Sequence, residues 1–297
     1  MKAASGSEKK SVWYRIMHFL PVHIAAGVIL VNVGTFIARS LVSGLLTLAG
    51  LDQTLYGDAA VLCVRFAAMI LLYCLFVRWF EKRPAREILP DRKAPAEFGA
   101  GFLLGAGIIG MLVTVLVLAG MASPGGLNTW QDFPQHIMTD LFFAFLQDVI
   151  YFLILFRLVE KSAGSLVAMI VTGFVFGFKH LLFPDYGVWA AAAIVIEGGI
   201  LFSALFMLYR RVWMVFGFHF AYNVIQNTFL GYVNPAGNRA GVLDFQVSGP
   251  AVWTGSRAGL ESSVIALILS LAAGGLLLAV EVRKGHWKRM PRRNISE

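Results

Sequence analysis

Long apolar runs broken by short polar segments set the pattern of this chain. A helix crosses a bilayer with about 20 mostly apolar residues. Eight stretches approach that length, at roughly 17–38, 58–80, 97–121, 135–159, 164–183, 187–208, 211–230 and 259–281. The first stays apolar through SLVSGLLTLAG towards Gly50. Its core, Phe19 to Ile37, is too long for the apolar part of a signal peptide, and no convincing cleavage site follows. It is expected to remain as the first span. The pattern predicts an all-α polytopic membrane protein, a bundle of about eight transmembrane helices forming one membrane domain over residues 1–297.

The charges give the bundle a direction. Cytoplasmic segments of membrane proteins carry an excess of Lys and Arg. With both termini in the cytoplasm, 20 of the 25 Lys and Arg fall on that side. They run from Lys2, Lys9, Lys10 and Arg15 through the loop WFEKRPAREILPDRKAPAEFG to Arg283, Lys284, Lys288, Arg289, Arg292 and Arg293. The outer side keeps Arg39, Arg65, Lys179, Arg239 and Arg257, among acidic residues such as Asp52, Asp58, Asp132, Asp185 and Asp244. In the cytoplasmic loop, Pro84, Pro90 and Pro95 mark turns, and Ala85–Leu89 reads as one interfacial helical turn. The outer loop SPGGLNTWQDFP reads as a turn with interfacial aromatics, and 231–258 as a flexible loop or a lid.

Composition supports this reading. The chain is 58% hydrophobic and 14% charged, with mean hydropathy +0.72. A soluble domain is about 45–50% apolar and about 25% charged. The net charge of +8 fits contact with anionic membrane lipids; no basic run is long or aromatic-interleaved enough to expect nucleic acid. Cys63 and Cys74 share one apolar run and read as small packing residues.

Polar groups inside apolar spans are costly, so each marks a candidate site. They concentrate between Leu141 and Asn227. His219, Asn223 and Asn227 lie four residues apart and form one stripe of a helix, with Gln226 beside it. A His and an Asn one turn apart can donate to a single oxyanion, or they can simply join helices. Lys179 and His180 lie late in the fifth span, where Lys179 can snorkel to the headgroups. Gln147 and Asp148 sit mid-span, with Asp140 and Tyr151 on the side of Gln147 and Lys179 as a possible partner for Asp148. Glu197 interrupts AAAIVIEGGILF as a structural group, general base or proton carrier, and Gly198 and Gly199 allow close helix approach. A metal site is weakly indicated: zinc is possible only if His180 and His219 meet one carboxylate. A transporter with a relay through Asp148, Glu197 and Lys179 is disfavoured by the lack of internal repeats.

Three motifs in this order resemble the CPBP family of intramembrane proteases, also called Abi or type II CAAX prenyl endopeptidases. Phe176-Gly-Phe-Lys-His180 is similar to the family's Phe-x-x-x-His, and His219-Phe-Ala-Tyr-Asn223 to its His-x-x-x-Asn. The resemblance is clearest over about 135–230. It implies a membrane endopeptidase acting on a membrane-associated peptide or protein, in a bacterial or archaeal plasma membrane. His180 is then expected to assist the attacking water, and His219 with Asn223 to hold the oxyanion. The first motif, Glu-Glu-x-x-x-Arg, departs: Gln147 and Asp148 occupy the Glu positions and Phe152 the Arg position. A neutral amide cannot take a proton from water. Three explanations stand open: an engineered Glu→Gln change at 147, a pseudo-protease that binds without cutting, or a base supplied by Asp148 or Glu197.

Overall fold

The computed structural model describes residues 19–52, 54–128, 133–183, 186–232, 241–255 and 258–291. The charges expected at Lys2, Lys9, Lys10, Arg15, Asp132, Asp185, Arg239, Arg257, Arg292 and Arg293 lie outside these residues, as does the start of the first expected span.

The described residues are 78% helical, an all-α polytopic membrane architecture. Among them, six helices are long and apolar enough to cross a membrane. The first three are α1 (Leu20–Leu48), α2 (Leu55–Phe76, continuing as a π-turn over Val77–Glu81) and α3 (Ala94–Leu118). The fourth is a 50-residue helix, Phe133–Leu182. It comprises α4 (Phe133–Asp148 with a π-segment Val149–Phe156) and α5 (Arg157–Phe178 with a 3-10 turn Lys179–Leu182). Gly164, at φ 83° and ψ 170°, kinks it between the fourth and fifth expected spans. Then come α6 (Val188–Glu197), its π-turn Gly198–Phe202 and α7 (Ser203–Tyr209). The last long helix is Val264–Arg283. The expected seventh span falls on α8 (Val212–Asn223) and the π-segment Val224–Phe229, which carry the polar stripe.

Burial separates centre from rim. In Val188–Tyr209, 72% of the most apolar window is buried, against 22% in Leu20–Leu48. The buried residues of α1 are His23, Gly27, Val31 and Thr35, one narrow stripe at four-residue spacing. The other faces of α1 are apolar and exposed, as a lipid-facing helix requires.

α8 runs through the middle against α3, and glycine permits the approach. A Cβ on Gly217 would stand 2.0 Å from the Phe98 carbonyl oxygen, and one on Gly101 2.0 Å from that of Met214. Small residues at such contacts let membrane helices pack backbone to backbone. On the other side, Gly173 of α5 packs against Gly199, one of the two glycines expected to allow close approach.

The two loops expected on the outer side contribute a strand each to a small sheet. β1 (Ala122–Leu127) pairs antiparallel with β2 (Leu243–Val247), with Ala122 opposite Val247 and an irregularity between Pro124 and Leu127. Leu243, Phe245 and Val247 alternate inward and cover the adjoining ends of α3 and α8.

The loop after α2, expected on the cytoplasmic side, is also more buried than its polarity suggests. Residues 85–88 form a hydrogen-bonded turn, not the expected helical turn, and Ile88 is fully buried. The loop is held by charge. Arg157 pairs with both oxygens of Glu81, Arg83 with Glu87, and Arg211 with Asp91 and Glu97. The Tyr73 hydroxyl also donates to Glu87. Burial pushes the Glu87 carboxyl up, but its bonds from Arg83 and Tyr73 outweigh this and hold it below the usual carboxylate range.

A carboxylate depressed in the folded state stabilises above its unfolded value of about 4.3, and that stability is lost as pH falls through the folded value. Thermal unfolding in detergent will therefore show Tm falling as pH drops below about 4. Glu87→Gln will lower Tm at pH 7 and flatten that acid limb.

Candidate active site

Three helices change pitch at the residues singled out by sequence. The π-segments begin directly after Asp148, Glu197 and Asn223. A π-turn widens the helix and is frequent at functional sites. Here the wide turns surround one cavity of about 350 Å³. Its walls include Gln147 of α4, Phe176, Lys179 and His180 at the end of α5, Glu197 of α6, and His219, Asn223, Gln226 and Asn227 of α8. Span lengths alone set His180 nearer the outer surface than His219. The 3-10 turn that ends α5 carries it to the same cavity, and both rings contact Phe176.

Each ring has a defined orientation. His180 Nδ1 lies 3.0 Å from the Phe176 carbonyl and 3.2 Å from that of Gly177. Carbonyls only accept, so Nδ1 carries the proton and Nε2 of the neutral ring is left to accept. His219 Nδ1 lies 2.9 Å from Asp148 Oδ1. Asp148 is fully buried and stands behind the histidine instead of lining the cavity. A buried carboxylate on Nδ1 fixes the ring and its tautomer. Singly protonated, such a ring accepts a proton at Nε2; doubly protonated, it donates there. Asn223 lines the cavity and makes no side-chain hydrogen bond among the described residues.

Lys179 turns inward. Its Nζ donates to Gln147 Oε1 and lies 4.4 Å from the Phe176 ring centre and 4.9 Å from that of Tyr151. It neither snorkels outward nor bonds Asp148, as the sequence had suggested, because the amide and two aromatic faces hold it inside. Phe152 lies away from the cavity, between the rings of Phe202 and Phe206, so its position belongs to the apolar core. Asp140 accepts from Thr228 Oγ1 at 2.6 Å and Asn227 Nδ2 at 3.3 Å. Glu197 Oε1 accepts from Ser270 Oγ at 2.8 Å.

Sequence reasoning missed Glu261, Tyr222, Tyr186 and Thr139, which also line the cavity. Glu261 carried a usable signal: a carboxylate just inside the last expected span, of the same kind that drew attention to Glu197. The tyrosines carried none, since aromatics are common throughout these helices. Among the described residues no group of three His, Cys, Asp or Glu side chains is placed to hold a metal ion. The residues present therefore do not fit the zinc site that His180 and His219 had suggested.

A family model described as Type II CAAX prenyl endopeptidase Rce1-like matches residues 128–225. This is the family that the His180 and His219 motifs resemble, and the resemblance is borne out over those residues. The match takes in Gln147, Asp148, His180, Glu197, His219 and Asn223, and stops short of Gln226, Asn227 and Glu261. No curated protein and no solved structure matches the chain significantly.

The two sides of the site differ in their stability cost. Asp148→Ala leaves the buried His219 Nδ1 without a partner and will destabilise by about 1–3 kcal/mol. Asn223→Ala removes no bond of the resting protein and will cost less than about 1 kcal/mol. Parallel thermal unfolding of the two variants checks the ranking; equal losses would contradict the Asp148–His219 geometry.

Proposed function

We propose that this chain is a CAAX-endopeptidase-like membrane protein that binds a peptide segment in the cavity and hydrolyses it weakly. The observation that carries the reading is the bond from Lys179 to Gln147. The position where the family has a glutamate holds an amide, and the nearest cation occupies its oxygen. General-base help of this kind is worth about 10²–10⁴ in rate, and an amide forfeits it. The groups for the other half of the reaction are present. His219 Nε2 and the Asn223 amide stand on one face of α8, where they can hold a developing oxyanion. His180 Nε2 can take a proton from water as its oxygen bonds to the scissile carbonyl carbon. The C–N bond then breaks and the amine leaves with that proton.

A second reading has its own support. The Asp148–His219 bond is the arrangement of a carboxylate-oriented histidine base. In that case His219, not His180, activates the water, and residual activity depends on Asp148. The contrasting class, a protein that binds and never cuts, shares the cavity and differs only in rate.

With the function goes a topology. The kink at Gly164 and the central placement of α8 support eight spans, both ends in the cytoplasm, in a bacterial or archaeal plasma membrane.

Hydrolysis of an internally quenched apolar peptide by the protein in liposomes tests the mechanism. Gln147→Glu will raise the rate at least about tenfold. If Asp148→Asn abolishes the wild-type rate while His180→Ala leaves it, the second reading holds. Binding without cleavage in both the wild type and Gln147→Glu would identify a binding protein, and no binding at all would reject the reading. For the topology, cysteines at Met290→Cys and Gln246→Cys, with Cys63 and Cys74 replaced, will label from the cytoplasmic and outer sides respectively.

A further inference from the structure

One end of the cavity is acidic, with no Lys or Arg of the described residues beside it. Glu261 sits on the 3-10 turn Leu260–Ser262, which is clamped in place. The Leu260 N–H donates to Gln226 Oε1 at 2.8 Å, and Trp189 Nε1 donates to the Ser262 carbonyl at 2.8 Å. The turn is thus tied to α8 and α6 and presents Glu261 to the cavity. Glu261 Oε1 accepts from the Tyr186 hydroxyl at 3.2 Å, while Oε2 is buried with no hydrogen-bond partner. Glu197, 4% exposed, lines the same cavity as Glu261. Tyr222 is 5% exposed, lines the same cavity, and its hydroxyl is unpartnered. Neither Glu197 nor Glu261 forms an ion pair among the described residues; the cation of the cavity, Lys179, is taken by Gln147.

Two buried carboxylates that share a cavity ionise together more readily when a positive partner is present. An unsatisfied carboxylate oxygen and an unsatisfied phenol beside it cost stability that a bound donor recovers. The aromatic walls suit a cation as well, since ring faces attract positive charge. Among the described residues no Lys or Arg pairs with either carboxylate, which leaves them open to a cation brought by a ligand.

We propose that Glu197, Glu261 and Tyr222 form a subsite for a cationic side chain, an ammonium or guanidinium, of the peptide segment bound in the cavity. The proposal deepens the peptide-binding reading and rests on it for the identity of the ligand, not for the chemistry of the subsite. A guanidinium meets the geometry best, because its several N–H groups can reach two carboxylates at once. Glu261 lies beyond residues 128–225, so this preference belongs to the present chain and is not implied by the family match.

The test compares n-butylguanidinium with its neutral isostere n-butylurea on the full chain in detergent, by calorimetry or ligand-detected NMR. The expected result is at least about tenfold tighter binding of the guanidinium, as for hydrogen bonds to charged groups. Glu261→Gln and Glu197→Gln will each remove most of that preference, and Tyr222→Phe will weaken it a few-fold. Equal binding of the two probes by the wild type overturns the proposal, and this comparison needs no variant to fold. A guanidinium preference that survives both glutamate variants also overturns it, because the cation then binds elsewhere. If n-butylguanidinium binds as expected but a hydrophobic peptide bearing Arg binds no better than one bearing citrulline, the subsite stands and the peptide reading fails.

Discussion

A helix that carries a stripe of polar side chains is buried at the centre of the bundle, and the rest of the structure answers to that. α8 and its π-segment carry His219, Asn223, Gln226, Asn227 and Thr228, all half-buried or buried. Inside a membrane each polar group needs a partner from the protein. Asp148 of α4 meets His219, Asp140 meets Asn227 and Thr228, and the turn before the last helix meets Gln226. Gly101 and Gly217 let α3 close the remaining side by backbone contact. Asn223 is left without such a bond and faces the cavity, which is where a ligand would find a donor.

This arrangement changes the view of the first motif. Gln147 and Asp148 are neighbours in sequence but point about 100° apart on a helix. Gln147 faces the cavity and Lys179; Asp148 faces away from it and supports the histidine. A glutamate at 147 would ion-pair with Lys179. The glutamine keeps the contact and drops the charge. Of the three departures from the family pattern, Phe152 packs in the apolar core away from the cavity, Asp148 keeps a carboxylate and Gln147 replaces one with an amide.

The turn carrying Glu261 brings a residue from beyond the matched segment onto the site. Loops that read as polar connections are paired or clamped, and the sheet of β1 and β2 packs over the ends of α3 and α8. The loop after α2 is held differently, by ion pairs of Glu81 and Glu87 with arginines on the loop and on α5. The two regions therefore respond to different conditions: acid loosens the charged loop, while the sheet depends on packing.

The sequence by itself determined the membrane architecture, because apolar runs near 20 residues long have few other stable fates. It also determined which segments carry the site, because polar side chains in such runs are too costly to be incidental. His180, His219 and Asn223 were legible for that reason. Only the tertiary structure decided who partners whom. Lys179 was as close in sequence terms to Asp148 as to Gln147, and a rotation of one residue on α4 separates the two outcomes. The π-turns after Asp148, Glu197 and Asn223 leave no mark in the hydrophobic period, yet each begins beside a residue of the site. Glu261 stayed hidden because its role depends on contacts with Tyr186 and Gln226, 75 and 34 residues away from its turn. Periodicity reports which face of a helix is apolar; it carries no information on which distant face will meet it.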